Sequence, residues 1–388
     1  MGSLFEGQKG NITLVIFFLV CSAILLLLPT GFEERVDGTA VRCRGEILEV
    51  DDSEIQTLGM IKSGDQTVTV RLLDGPFKGK VVEANNPLLG QMDRDKIFEK
   101  GDRALMVLTL DQDGGIIFAN PQDHYRISLE LFLLALFALF LVLFGGWTGT
   151  KALLSFLFSG LMIWKVLIPC LLKGYDPVWV SLVIVAGLTA AVIFLVAGPT
   201  RKGVVAFSGA LLGVLTSCLL ATYFTRQFHV HGAVMPFAET LLYSGFGHLD
   251  LARIYIAAVF LAASGAVMDL AMDVAASLEE VVSNRPEIPF GQCLKSGFKV
   301  GRAVVGTMTT TLLLAYSGGY ITLLMAFMAQ GVPLINLFNL IYVAAEVLKT
   351  LVGSFGLVTV APFTALTGAL IYRGKAGFRS RTGRYERQ

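Results

Sequence analysis

Two carboxylates define the first chemistry to look for. Asp269 and Asp273 stand at i and i+4 within a long apolar stretch, so one helix face carries both. With entry near Arg253 and a rise of ~1.5 Å per residue, Asp269 would sit ~24 Å into a bilayer. An ionised carboxylate at that depth is costly and is normally paired or functional. Two on one face repel, which favours a guest cation or a shared proton. Ser264, Gly265 and Ser277 are small enough to let a neighbouring helix approach. Two plainer readings stand beside this one. The helix ends early and the acids open a surface amphipathic helix with Glu279 and Glu280, or a basic residue pairs with them.

Other candidates follow along the chain. Thr307, Thr309, Thr310 and Thr311 precede Ser317-Gly318-Gly319, where a helix should break. Hydroxyls beside a broken helix can line a cavity or re-satisfy freed backbone groups, although they also serve plain helix packing. Thr307 and Thr310 join the two aspartates as candidate ion or solute ligands. So does Glu346, which has Lys349 at i+3 for a partner. Lys165 lies inside an apolar run, where its stem can snorkel or its charge can neutralise a buried acid. His229, His231, His248 and Asp250 are spaced too loosely to assign a metal. The five cysteines form no CxxC or Cys/His set, and Cys43 stands alone in the polar segment. There is no GxSxG, HExxH or paired-aspartate arrangement on separate helices, so no enzyme and no cofactor are expected. Gly198-Pro199-Thr200-Arg201-Lys202-Gly203 lacks the phosphate-loop pattern and reads as a helix connector.

The elements that position these residues are those of a membrane protein. Of 388 residues, 54% are hydrophobic and only 16% charged, against about 25% charged in a soluble domain. The net charge of +1 supplies no field for nucleic acid. Residues 1–32 form an uncleaved N-terminal anchor, with an apolar run from Ile12 to Leu28. Residues 33–125 alternate polar and apolar between Gly, Asp and Pro turns. This predicts a small all-β domain, an OB-like barrel by its length, lying outside the cytoplasm. Residues 126–372 are a membrane domain of seven helices, at about 127–147, 152–171, 177–197, 203–225, 253–276, 303–329 and 350–372. With the anchor that makes an α-helical polytopic bundle of about eight transmembrane helices. Residues 333–348 read as a half-helix at the outer face. A re-entrant hairpin at Ser317–Gly319 is the alternative and would invert the last helix. Lys151, Arg201-Lys202, the 277–302 loop and the basic tail 373–388 put the positive charge, and both termini, on the cytoplasmic side.

Three stretches resemble the YibE/F-like membrane protein family. They are Ile168-Pro169-Cys170 through Asp176-Pro177, Ala262 through Glu280 with its Ser264-Gly265-Ala266-Val267-Met268-Asp269 core, and Glu346 through Gly353-Ser354-Phe355-Gly356 to Ala365. The resemblance implies a multi-pass protein of the bacterial plasma membrane and brings no established activity. The expected function is therefore a transporter or permease of a small ion or solute, with a carboxylate site at Asp269 and Asp273. Its partners are the lipid bilayer and a small cation, proton or solute, with no nucleic acid. The alternative is a non-catalytic envelope sensor or assembly partner acting through the β-domain.

Overall fold

The fold is described from a computed structural model, which covers residues 2–35 and 38–382 in backbone and 12–35 and 38–372 in side chains. Two compact units result. One holds the N-terminal helix together with the chain from Phe144 onward, and the other is Gly31–Leu143.

The smaller unit is a nearly closed antiparallel β-barrel. Its strands are β1 (Ala40–Leu58), β2 (Ile61–Leu72), β3 (Val81–Leu89), β4 (Arg103–Leu110) and β5 (Ile116–His124), in the order β3-β2-β1-β4-β5. β1 is 19 residues long and pairs with β4 through its first half and β2 through most of its length. Two bulges, at Ile47/Glu49 and Asp51/Glu54, bend it enough to serve both. Alternation does the rest: Cys43, Ile47, Val68, Val70, Leu72, Met106 and Leu108 point inward and are almost fully buried. Gly45 is required here, because a Cβ would press on Val70 and on Met106 Cγ at 2.8 Å. The segment between β3 and β4 inserts Phe98 into the barrel and is held by buried amides. Gln66 Nε2 donates to Phe98 O at 3.0 Å, Gln66 Oε1 accepts from Phe98 N at 3.0 Å, and Asn86 Nδ2 donates to Lys96 O at 2.7 Å. Phe98 meets the His124 ring at a tilt of 47°, with centroids 4.7 Å apart.

The larger unit is helical: α1 (Gly2–Leu27), α2 (Ile127–Met162), α3 (Ile168–Leu172), α4 (Pro177–Ala197), α5 (Arg201–Gln227), α6 (Ala238–Tyr243), α7 (Leu251–Asn284), α8 (Phe290–Gly318), α9 (Ile321–Ala329), α10 (Leu334–Asn339) and α11 (Ile341–Thr382). The first part of α2 belongs to the barrel's unit. Polar residues start the long helices: Asp176 caps α4, Thr200 caps α5 and Asp250 caps α7. Gly198-Pro199-Thr200 joins α4 to α5, as a helix connector should.

Among the described residues five helical stretches are long and apolar enough to cross a membrane, or six if α8 and α9, bent by 64°, are one span. The expected eight separate spans are thus not all seen. The stretches 127–147 and 152–171 are divided at Gly146 (φ 52°, ψ −129°), where α2 kinks, and a π-helical turn at Ile163–Leu167 interrupts the second before α3. Lys151, expected in a loop between them, is instead buried in α2, where Nζ donates to Val196 O at 3.2 Å. That carbonyl lies in the last turn of α4, where a cation is favoured. The expected half-helix at 333–348 is divided between α10 and the first turns of α11.

The helical core is built on α5, α7, α8 and α11. Small residues set the spacing. On α5, Gly209, Gly213 and Ser217 lie against Thr364, Val360 and Gly356 of α11. On α8, Gly297 packs against Ala365 and Leu278, and Gly301 against Ala361 and Val274. Gly353 of α11 meets Leu312 and Ala263, and Gly368 meets Leu278. These contacts run α7 and α11 in one direction and α5 and α8 in the other. The break at Ser317–Gly319, α9 and α10 form the connection between α8 and α11 at one end.

Candidate functional site

The candidate ligand residues of the helical unit fall in two places. The first is the face of α7. That helix does not end early: it runs unbroken to Asn284 and carries Asp269, Asp273, Glu279 and Glu280 together. α7 is central, and most of its surface is buried against α4, α5, α8 and α11. Asp269 and Asp273 occupy its remaining face and are exposed at the surface of the unit. Among the described residues, no side chain forms an ion pair or hydrogen bond with either of them. Thr307 and Thr310 are exposed on α8 as well, and their hydroxyls are spent within their own helix. Thr307 donates to Val304 O at 2.9 Å and Thr310 to Gly306 O at 3.3 Å. The pairing of Val274 with Gly301 and Leu278 with Gly297 puts Asp269 level with Gly306. The threonines therefore stand at about the right height, but they do not close a ligand shell around the acids.

The second place is an open cavity of about 700 Å³ where α8 bends into α9, flanked by α10 and the start of α11. Its wall is mostly aliphatic, with Leu313, Leu324, Met328, Leu337 and Val343 among the lining residues. Its polar corner is Glu346, with Tyr316, Tyr320, Ser317 and Thr350. Lys349 Nζ approaches Glu346 Oε1 at 3.5 Å, which is the i, i+3 pair read from the sequence. The same ammonium lies 4.8 Å from the centroid of the Tyr316 ring. Tyr255, Tyr316 and Tyr320 are all close enough to feel the Glu346 charge. Tyr255 is tied down, its hydroxyl donating to Ala345 O at 2.5 Å. Two atoms are left without a close hydrogen-bond partner among the described residues: Glu346 Oε2, although the Tyr320 side chain reaches that carboxyl, and the Tyr316 hydroxyl. Buried polar atoms are nearly always paired, so an open pair facing a cavity is where a guest molecule or ion would gain most.

Within one chain, then, the structure does not bring Glu346 to the aspartates. By the α8 register Glu346 lies about eleven residues, or ~16 Å, beyond the level of Asp269. The tyrosines were not anticipated. The signal available was Tyr316 and Tyr320 at i and i+4 across the Gly318-Gly319 break, which puts two ring hydroxyls on the side where the helix opens. Lys165 proves local: Nζ donates to Leu28 O at 3.0 Å, at the end of α1. The histidine loop is structural too. His248 Nε2 lies 3.3 Å from Leu172 O, and Asp250 is used as the α7 cap. No cluster of three or more His, Cys, Asp or Glu that could hold a metal occurs among the described residues.

Residues 133–374 match the model of the YibE/F-like protein family. The chain belongs to that family. The match takes in both polar places, from Asp269 to Glu346, and leaves the anchor and the barrel outside. No curated protein and no solved structure matches the chain.

Proposed function

We propose that this YibE/F-like protein is a permease for a small ion or solute, seated in the bacterial plasma membrane. One observation carries the reading: a substrate-sized cavity at a broken helix, with a buried carboxylate oxygen left unsatisfied at Glu346. Broken helices at a midplane or gate, with polar groups facing the gap, are how many transporters bind their cargo. On this reading the Glu346 corner takes the cargo, and Asp269 with Asp273 takes the coupling cation or proton. Eight crossings follow if α2 turns at Gly145-Gly146 and α8 with α9 is one span. The loop charges support both termini lying in the cytoplasm and the barrel outside. The barrel's strand order, and the approach of β3 to β5, support an OB-like fold.

The test is flux into proteoliposomes, measured for protons and for divalent cations. Glu346→Gln and the pair Asp269→Asn/Asp273→Asn should each lower the rate at least tenfold in protein that still elutes and melts like wild type. Equal rates for wild type and both variants would overturn the permease reading. A second reading has its own support, because the barrel has a complete hydrophobic core and is a compact unit in its own right. It is then a sensor or assembly module, and removing residues 33–125 should abolish the protein's phenotype while leaving flux intact.

A further inference from the structure

Two stripes on the α7–α8 hairpin are left without partners. On α7, Ala262, Gly265, Asp269, Asp273, Ala276 and Glu280 follow at three- and four-residue steps, and all six are exposed. On α8, Lys295, Lys299, Arg302, Gly306, Thr310 and Leu313 follow in the same way, and all six are exposed. The packing of Leu278 on Gly297, Val274 on Gly301 and Ala263 beside Leu312 fixes which residues stand level. By that register Glu280 is level with Lys295, Asp273 with Arg302, Asp269 with Gly306 and Gly265 with Thr310. Charge meets opposite charge at two heights, and small residues meet larger ones between and beyond them. Within one chain these partners do not bond. Among the described residues, the side chains of Asp269, Asp273, Glu280, Lys295, Lys299 and Arg302 have no ion pair or hydrogen bond.

A row of acids running into the apolar part of a helix cannot be left against hydrocarbon. A copy related by rotation about an axis parallel to the helices keeps every residue at its own height. Such a copy brings bases to acids without any shift along the bundle. We propose that a second copy of this chain covers the open face of α7 with the basic stripe of its α8. Arg302 of the second copy then meets Asp273, Lys295 meets Glu280, and Gly306 and Thr310 lie beside Asp269. Ala262, Gly265 and Ala276 allow the backbones to close in. About a two-fold axis the contact forms twice, α7 of each copy against α8 of the other. The inference stands apart from the permease reading, and refines it: with Asp273 neutralised by Arg302, Asp269 is the carboxylate left to hold a cation, and a second chain supplies the nearby hydroxyl.

The test uses full-length chains carrying two different affinity tags, expressed together, extracted in mild detergent and captured by one tag. Wild-type chains should copurify. Chains that both carry Asp273→Arg should lose at least tenfold of that recovery, and so should chains that both carry Arg302→Asp. A chain with Asp273→Arg mixed with a chain with Arg302→Asp should recover it, because each exchanged charge then faces its opposite across the contact. That mixed arm also excludes misfolding, since an unfolded variant is not restored by another variant. The proposal falls if wild-type chains do not copurify, if either reversed chain copurifies with itself as wild type does, or if mixing restores nothing. Flux measured on the same preparations keeps the two ideas apart, because no flux from wild-type chains that copurify counts against the permease alone.

Discussion

The seam between α5 and α11 can be probed with a single methyl group. Gly209 faces Thr364, and a Cβ at Gly209 would lie 2.8 Å from the Thr364 Cα. Backbone cannot rotate out of the way, and Thr364 is fully buried with its hydroxyl donating to Val360 O at 2.8 Å. Gly209→Ala must therefore push the helices apart, at a cost of about 1–3 kcal/mol for overpacking. Alanine also gains about 1 kcal/mol over glycine in a helix, which hides part of that cost. Gly187 on α4 supplies the correction, because nothing lies within 4 Å of a Cβ built there. Gly187→Ala should show the helix gain alone, so the two variants should differ by about 1–3 kcal/mol. Cys218 and Cys293, buried in the same core, give the readout through a thiol-reactive dye followed during heating in detergent. Gly209→Ala should melt several degrees below Gly187→Ala. Equal midpoints would mean that α5 and α11 are not in direct backbone contact, and the register built on that seam would be wrong.

Three further substitutions test other joints. Asp74 accepts from the Arg44 backbone N–H and from Arg44 Nε, both at 2.6 Å, and the backbone bond first, then the guanidinium, hold its carboxyl below the usual carboxylate range. A lowered folded pKa stabilises above the unfolded value and is lost as pH falls through the folded one. Asp74→Asn should therefore cost about 1 kcal/mol at neutral pH, already discounted for exposure, and the gap should close below pH ~4 when amide exchange of β1 is measured in the intact protein. Gln66→Leu strands Phe98 N–H and Phe98 O in the barrel core and leaves Asn86 Nδ2 with Lys96 O alone, so amide protection in β2 should drop by roughly 2–4 kcal/mol, against no change for the exposed Gln56→Leu. Lys151→Met removes the donor to Val196 O, and the dye assay should show a loss of about 1 kcal/mol.

What the sequence revealed depended on how local the determinant was. The barrel was legible because alternation along Val68, Val70 and Leu72 is written into consecutive residues and decides which face is buried. The helix starts were legible for the same reason, since Asp176-Pro177 and Asp250 cap in place. The Glu346–Lys349 pair needed only helical spacing. The place of Lys151 inside the helix that follows the Gly146 kink was not legible, because a lone lysine beside apolar runs looks like a loop charge. Its acceptor, Val196 O, lies 45 residues further on and is visible only in three dimensions. The cavity was missed for a similar reason. It forms where α8 turns by 64°, and neither the size of that bend nor the tyrosines it gathers can be read from Ser317-Gly318-Gly319 alone.

The charges of the helical unit then sort by a simple rule. Lys151 and Lys165 reach carbonyl oxygens near the ends of α4 and α1, Lys202 pairs with Glu279, Arg253 with Asp176, and Lys349 with Glu346. Each of these basic side chains has a long stem that can carry its charge to an acceptor. Asp269 and Asp273 have short side chains in the middle of a helix and cannot travel, so their partner has to come to them. A bundle that had no use for them could have placed alanine at both positions, as it does at Ala262 and Ala276 on the same face. A positive charge arriving from outside the chain would give two fixed acids a use there. On the two proposals made above, the basic stripe of a second copy and a bound cation would be complementary answers: the first would meet Asp273 and the second Asp269.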